Sequence, residues 1–200
     1  MNKISKIASV VLLFLLIQGC ASNLMTTSQT GVIAPPDNDM ATVVFMRSSM
    51  VAGAIGVELF EIVDGELEFI GALPNGSKVA YKTSPGQKIY MAYGSAADFM
   101  IGNIKEGKTY YSIVRPNWGT GGFAPTPIRS DGSTEYNMES SDFIKWKNGT
   151  TLLEPKTNAN EWFTKNKDKY LKIYNVYWSR FQNKTESEKS ERTLLPSDGV

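Results

Sequence analysis

The chain contains no histidine and only one cysteine among its 200 residues. Without histidine, neither a Ser-His-Asp nor a Cys-His catalytic arrangement can form, and nearly all zinc sites are excluded. Basic and acidic residues almost balance, at 21 Lys and Arg against 20 Asp and Glu. This balance argues against nucleic acid as a partner, because its binding depends on many cations. We therefore expect no metal site, no cofactor and no enzymatic activity.

The N-terminal apolar run is also shorter than a membrane span. Residues 7–17 are apolar apart from Ser9, whereas a spanning helix needs roughly 20 apolar residues. Lys3 and Lys6 precede the run, and Leu16-Ile17-Gln18-Gly19-Cys20 follows it. This layout is typical of a secretory signal peptide. It resembles the lipobox of bacterial lipoproteins.

The resemblance implies that residues 1–19 are a signal peptide and that Cys20 is the lipid attachment site. In such proteins the cysteine thiol takes a diacylglyceryl group and the cysteine becomes the new N-terminus, carrying fatty acyl chains such as palmitate. The chain would then have no thiol left for a disulfide. Ala21 stands where an aspartate would signal retention in the inner membrane. By that analogy we expect the outer membrane, facing the periplasm, with the inner membrane as the alternative.

Beyond Cys20 the pattern indicates a mainly β protein. Residues 20–40 are polar with Pro35-Pro36 and predict a flexible tether. Residues 41–116 then alternate short β-branched or aromatic runs with turn signals, and Asp64-Gly65 predicts a hairpin. We expect a small antiparallel β-sandwich of about seven strands, at residues 42–47, 56–63, 66–73, 78–83, 88–93, 99–104 and 109–115.

The C-terminal part predicts a helix packed on this sandwich. Residues 117–157 read as a long loop with short elements, in which Trp118 and Phe123 would pin a mobile connection to the sheet. Residues 158–190 form an amphipathic helix with a capping box of Asn158 and Glu161. Its stripe is aromatic and aliphatic, and residues 191–200 are a tail. The stripe comprises Phe163, Tyr170, Leu171, Ile173, Tyr174, Tyr177, Trp178 and Phe181.

Several short motifs carry a second resemblance. They are a strand that ends in Arg47, a Gly71…Asn75-Gly76-Ser77 turn, Ser84-Pro85-Gly86, and Gly107-Lys108-Thr109-Tyr110-Tyr111. Over residues 42–115 the chain is similar to a family of small bacterial β-sandwich lipoproteins of unknown function. The resemblance implies a fold and a location, and it assigns no site residues.

Two features suggest functions that compete with each other. Five carboxylates crowd one hairpin, so a hydrolase of a cell-envelope polymer is conceivable, although alternation places Glu66 and Glu68 on the solvated face. They are Glu58, Glu61, Asp64, Glu66 and Glu68. Residues 145–184 hold nine Lys and Arg against three Asp and Glu. A basic helix could bind an anionic glycan or lipid, or an envelope protein, but docking by its aromatic stripe with solvated cations is the simpler interpretation.

Taken together, the sequence predicts a lipid-anchored envelope protein. It would touch the membrane through the lipid on Cys20 and act as a non-enzymatic binding or structural module. The alternatives are the hydrolase and an adapter subunit of an envelope complex.

Overall fold

The structure is a computed structural model that describes residues 24–200, so the predicted signal peptide and Cys20 lie outside the described residues. This described part of the chain contains three helices: α1 (Ser141–Gly149), α2 (Ala159–Gln182) and α3 (Glu186–Glu191). A short 3-10 turn covers Pro196–Asp198. The strands are β1 (Met25–Thr27), β2 (Ala41–Arg47), β3 (Glu58–Val63), β4 (Glu66–Ala72), β5 (Ser77–Thr83), β6 (Gly86–Tyr93), β7 (Ala97–Ile104), β8 (Thr109–Asn117), β9 (Gly122–Pro127), β10 (Thr151–Pro155) and β11 (Thr193–Leu194).

These strands form two stacked sheets. Sheet A has the order β1-β10-β5-β2-β8-β9, and sheet B has the order β11-β7-β6-β3-β4. The prediction of a mainly β sandwich carrying a C-terminal helix is confirmed. The residues described contain eleven strands rather than about seven, and both sheets are mixed, because β2–β8, β10–β5 and β11–β7 pair in parallel. The chain repeatedly leaves one sheet and returns to it. The alternation of residues along a single strand does not predict such crossings, because it carries no information on which strands pair.

The β3–β4 hairpin forms where the sequence predicts it. Asp64 and Gly65 both have positive φ, at 51° and 82°, which a type I′ turn requires. The register places Ile62 opposite Leu67 and Phe60 opposite Phe69. All four face the same side of sheet B.

Sheet B is buried on both faces. Its inner face packs against sheet A in a cluster that includes Leu59, Tyr90 and Met100 from sheet B. Its outer face carries Phe60 and Phe99, which α2 covers with its own aromatic side chains. A smaller cluster under α1 covers the outer face of sheet A. The strands of sheet B therefore supply apolar residues in both alternating sets.

Helix α2 covers the outer face of the four longer strands of sheet B, β4, β3, β6 and β7. Near its start Trp162 and Phe163 contact Phe69 of β4, with ring centroids 5.6 and 5.9 Å apart. Near its end Phe181 contacts Phe99 of β7, at 5.5 Å. The helix thus runs across sheet B from the edge strand β4 to β7. Its predicted aromatic stripe is the face that packs against the sheet.

The predicted helix boundaries differ from those observed. Residues 158–190 divide into α2 and α3, and α3 begins with its own capping box between Thr185 and Glu188. The capping box predicted for Asn158 and Glu161 is wrong. Asn158 already has helical φ and ψ and makes no side-chain cap, while Glu161 pairs with Lys165 at 2.7 Å.

Segments predicted as tether, loop and tail contribute strands. Within residues 20–40, Leu24 and Met25 are buried and β1 pairs with β10. The predicted loop at residues 117–157 contains β9, α1 and β10. In the tail, β11 pairs with β7, and Val200 exchanges backbone hydrogen bonds with Thr109 at 2.7 and 3.0 Å. Both chain ends of the described region are therefore built into the sandwich.

In residues 24–200, no helix combines the length and the apolar character needed to cross a bilayer.

We expect Phe99→Ala to destabilise the protein by about 3–5 kcal/mol, the usual cost of deleting a buried phenyl ring. Phe99 is fully buried and contacts Tyr174, Trp178 and Phe181. Urea unfolding followed by circular dichroism measures the loss. Val176→Ala is the matched control, because Val176 lies on the exposed side of α2 and should change stability little. Equal effects of the two substitutions would contradict the docked helix.

Candidate functional site

The hairpin carboxylates do not converge on one cleft. Glu61 points between the sheets, where it pairs with Lys88 at 3.0 Å and accepts a hydrogen bond from Thr83 Oγ1 at 3.1 Å. Glu68 lies opposite Glu61 in the register, but it is exposed and contacts only the Tyr81 hydroxyl, at 3.4 Å. Because Glu61 is enclosed, no substrate can reach its carboxylate without displacing these partners.

The remaining hairpin carboxylates are separated from this pair. Asp64 is exposed in the turn, and Glu66 is exposed and forms an ion pair with Lys167 of α2. Glu58 lies on the opposite side, beneath α2. The solvated positions predicted for Glu66 and Glu68 agree with their exposure. The burial of Glu61 and Glu58 was not anticipated.

The carboxylate of Glu58 has a pKa that its surroundings shift. Burial raises the pKa of Glu58 to about 7, although the charge of Lys169 opposes the rise. A raised carboxyl pKa in a cleft is typical of a general acid. Here the group sits at the interface between sheet B and α2, so the shift reflects the cost of covering the sheet.

Arg47 is a buried cation that has no carboxylate partner within residues 24–200. Its guanidinium donates to the carbonyls of Ile55, Ala52 and Leu73, at 2.5, 2.8 and 2.9 Å. It also lies 4.4 Å from the centre of the Phe123 ring. Desolvation lowers the pKa of Arg47 to about 10, so it remains charged at neutral pH. Arg47 therefore fixes the loop at residues 48–57 through its two Nη atoms, while its Nε is buried without a hydrogen-bond partner among residues 24–200.

Three further arginines line a cavity of about 240 Å³ at the edge formed by β8, β9 and the C-terminal tail. Arg115 lies near the end of β8, Arg129 follows β9, and Arg192 follows α3. Tyr136 and Thr126 also line this arginine pocket, and Glu135 and Glu191 stand exposed at its rim.

Two of the three arginines are held by the protein. Arg129 is buried, pairs with Asp198 at 2.9 Å, and donates to the carbonyls of Thr193 and Ser190. Arg192 donates to Thr126 Oγ1 at 3.1 Å and lies 3.6 Å from Asp98. Desolvation lowers the pKa of Arg192, the charge of Asp98 opposes this, and the nearby Arg115 adds to it. These contacts fix both guanidiniums in place.

Arg115 differs from the other two because no carboxylate lies within ion-pair distance of it among residues 24–200. Its Nε donates to Thr126 Oγ1 at 3.1 Å, and its guanidinium stacks 4.8 Å above the Tyr136 ring. These two contacts orient the planar fork, and no acceptor within residues 24–200 forms a hydrogen bond with its Nη atoms. An arginine fork in this state is suited to carboxylate or phosphate oxygens.

Sequence reasoning missed this pocket. Its arginines are far apart in the chain, and Arg129 and Arg192 lie in segments predicted as loop and tail. The one local signal is Arg115 itself, a charged residue that directly follows the run Tyr110–Val114 of a predicted strand.

The two other predicted interaction regions are the segment that holds Trp118 and Phe123 and the basic side of α2. Phe123 is buried and pins β9 beneath Arg47, as expected, whereas Trp118 is 80 % exposed on the β8–β9 turn and pins nothing. The cations of α2 outside the aromatic stripe are largely solvated, and Lys165, Lys169, Lys172 and Arg180 are all exposed.

A comparison with models of known protein families finds no match, and a comparison with curated proteins finds none either. The resemblance to bacterial β-sandwich lipoproteins therefore stays a prediction, and the function must be argued from the site itself.

We expect stability to fall as pH rises from about 4.5 to about 7, in part because of Glu58. Its pKa is higher in the folded state than in the unfolded chain, so the folded state binds the proton more tightly and its advantage is lost as Glu58 ionises. At 1.36 kcal/mol per pKa unit, the loss is at most about 3 kcal/mol. Urea unfolding between pH 4 and 8 should show a smaller decline for Glu58→Gln than for the parent. The exposed Glu68→Gln is the control, and parallel pH profiles for all three proteins would contradict the assignment.

Proposed function

We propose that this protein is a lipid-anchored binding module of the bacterial cell envelope that recognises a small anionic group in the arginine pocket without transforming it. The observation that carries this proposal is the guanidinium of Arg115, which is oriented by Thr126 and Tyr136 and has no anionic partner among residues 24–200. Arg129 and Arg192 add two fixed cations to the same cavity.

Preorganisation favours binding at this site. The side chains of Arg129 and Arg192 already make their hydrogen bonds, so an arriving anion does not have to order them. The cavity of about 240 Å³ is small for a ligand pocket. It suits a carboxylate or phosphate group with a short attachment, and the Tyr136 ring offers an apolar surface beside it.

The chemistry of the pocket favours recognition over catalysis. Arginine stays protonated and does not act as a general base. Burial, followed by the hydrogen bond to Glu135, raises the pKa of Tyr136, which makes its hydroxyl a poorer nucleophile at neutral pH. Glu135 and Glu191 are exposed at the rim, where they would repel a bare anion and favour a ligand that also carries a cationic or polar group.

The proposed location depends on Cys20. The basic start, the apolar run and the lipobox-like residues before Cys20 support secretion and acylation. Ala21 favours the outer membrane facing the periplasm, with the inner membrane as the alternative.

An adapter role is a second candidate, supported by exposed apolar side chains at one end of the sandwich. Met50 is fully exposed in the loop after β2, and Trp118 is 80 % exposed in the turn after β8. Because β2 and β8 are parallel neighbours, both loops leave sheet A at the same end. Exposed apolar residues grouped in this way are typical of protein contacts.

Cys20→Ser should abolish labelling by a radioactive or alkyne-bearing fatty acid and move the protein from the membrane fraction to the soluble fraction. The parent protein provides the comparison in the same cells. Membrane retention of the serine variant would contradict the lipid anchor.

Arg115→Gln should weaken anion binding by roughly tenfold to a hundredfold, since losing a charged hydrogen-bond donor costs about 1.5–3 kcal/mol. Inorganic phosphate, phenyl phosphate, benzoate and phosphoethanolamine are suitable probes, titrated by calorimetry and by NMR shifts of the arginine side chains. Lys172→Gln is the matched control, because it removes one exposed cation on α2, outside the residues that line the pocket. Absence of saturable binding for every probe, or equal weakening in both variants, would contradict the proposal.

A further inference from the structure

The fold fixes where the lipid-bearing end of the chain leaves the domain. Leu24 and Met25 are 3 % and 4 % exposed. The Leu24 carbonyl accepts a hydrogen bond from the Lys156 amide at 2.9 Å, and β1 pairs with β10. Leu24 therefore already belongs to the folded domain, which does not start as late as residue 40.

Only residues 21–23 separate Cys20 from Leu24. A chain spans at most about 3.5 Å per residue, so the two Cα atoms cannot be more than about 14 Å apart. If the proposed lipid on Cys20 is inserted in a bilayer, Leu24 must lie within this distance of the attachment point. This limit holds whatever conformation the three residues adopt.

The surface around Leu24, which we call the anchor edge, consists of β1, the end of β10 and the first turn of α2. Lys156 joins these elements, because its amide binds Leu24 and its carbonyl accepts from Ala159 at the start of α2. Thr26, Lys156, Thr157 and Asn160 are exposed there. Among the described residues, the large exposed apolar side chains lie outside this edge, so the surface suits contact with polar lipid headgroups rather than insertion.

The arginine pocket lies at the opposite edge. In sheet A, β1 and β9 are the two outermost strands, separated by five strand spacings. At about 4.8 Å per spacing the edges are roughly 24 Å apart. Helix α2 supports this separation, because its 24 residues run from the anchor edge towards β7 and cover about 36 Å.

We propose that the lipid on Cys20 holds the anchor edge against phospholipid headgroups and directs the arginine pocket away from the bilayer. This inference rests on the lipid anchor proposed above. The protein would be a membrane-apposed domain of fixed orientation, able to meet ligands or partners from the aqueous side only.

Single-cysteine labelling of the lipidated protein tests this orientation. Acylated Cys20 has no free thiol, so an introduced cysteine is the only one available. Thr157→Cys reports on the anchor edge, and Ser133→Cys reports on the exposed segment beside the arginine pocket. Each is labelled with a fluorophore and reconstituted in vesicles of phosphatidylethanolamine and phosphatidylglycerol that contain a headgroup-attached quencher.

We expect strong quenching at position 157 and little at position 133. Inserting twelve Gly and Ser residues between Ser22 and Asn23 adds roughly 20 Å of mean reach and should reduce quenching at position 157 while the protein stays on the vesicles. Cys20→Ser combined with Thr157→Cys should show no quenching, which excludes attachment independent of the lipid.

Vesicle flotation separates the two possible failures. A protein that does not float with the vesicles contradicts the lipid anchor and the orientation together. A protein that floats but is quenched equally at both positions, or is unaffected by the insertion, overturns the orientation alone.

Discussion

The constraint on which this structure depends is that sheet B must be covered on both faces. Consecutive residues of β3 are buried on opposite sides, with Leu59 in the core between the sheets and Phe60 under α2. A sheet of this kind is stable in water only when a second layer excludes solvent from each face. Helix α2 is therefore part of the core rather than an appended element. Its stripe contacts β4, β3, β6 and β7 through ring pairs such as Phe60 with Tyr170, whose centroids are 4.8 Å apart. With at most one thiol in the chain, this burial has to supply the stability that disulfides give many small exported domains.

Because the interior between the sheets is closed to solvent, each buried charge needs a partner within the protein. Burying an ion is costly unless it is paired and hydrogen-bonded. Glu61 pairs with Lys88, Arg129 pairs with Asp198, and Arg47 is surrounded by backbone carbonyls. The C-terminal tail takes part in this scheme, since Asp198 neutralises Arg129 and Arg192 approaches Asp98. Against this background the unpaired fork of Arg115 is unusual. Its guanidinium is half-buried and oriented, but no carboxylate among residues 24–200 pairs with it. The other buried cations either pair with a carboxylate or, like Arg47, are surrounded by carbonyls.

The fold was predictable where local signals agree with the tertiary structure. Asp64-Gly65 predicted the hairpin because its turn requires positive φ, and the spacing of aromatic residues predicted the docking face of α2. Other strands gave no such signal. Strand β9 contains Pro125 and Pro127, which indicate a loop, and proline is tolerated there because β9 is an edge strand of sheet A. Strands β1 and β11 have only three and two residues and form because a neighbouring strand offers free backbone groups. The arginine pocket was hidden for the same reason, since it exists only after β9 and the tail have paired.

The N-terminal segment shows how two apolar residues can change a functional interpretation. Residues 21–39 have the polar composition of a linker, and composition alone gives a domain that moves freely above the membrane. Leu24 and Met25 are buried at the start of an edge strand, and Met25 packs so close to Gly71 that a Cβ added there would lie 3.0 Å from the Met25 Cε atom. Burial of these two side chains places the start of the described chain in the sandwich, whereas residues 29–39 are mostly exposed, and only three residues separate Leu24 from Cys20. The strand order then separates the anchor edge from the arginine pocket, because β1 and β9 close opposite ends of the same sheet. The orientation proposed above would follow from this strand order and from the short connection to Cys20, once the lipid holds the anchor edge against the headgroups.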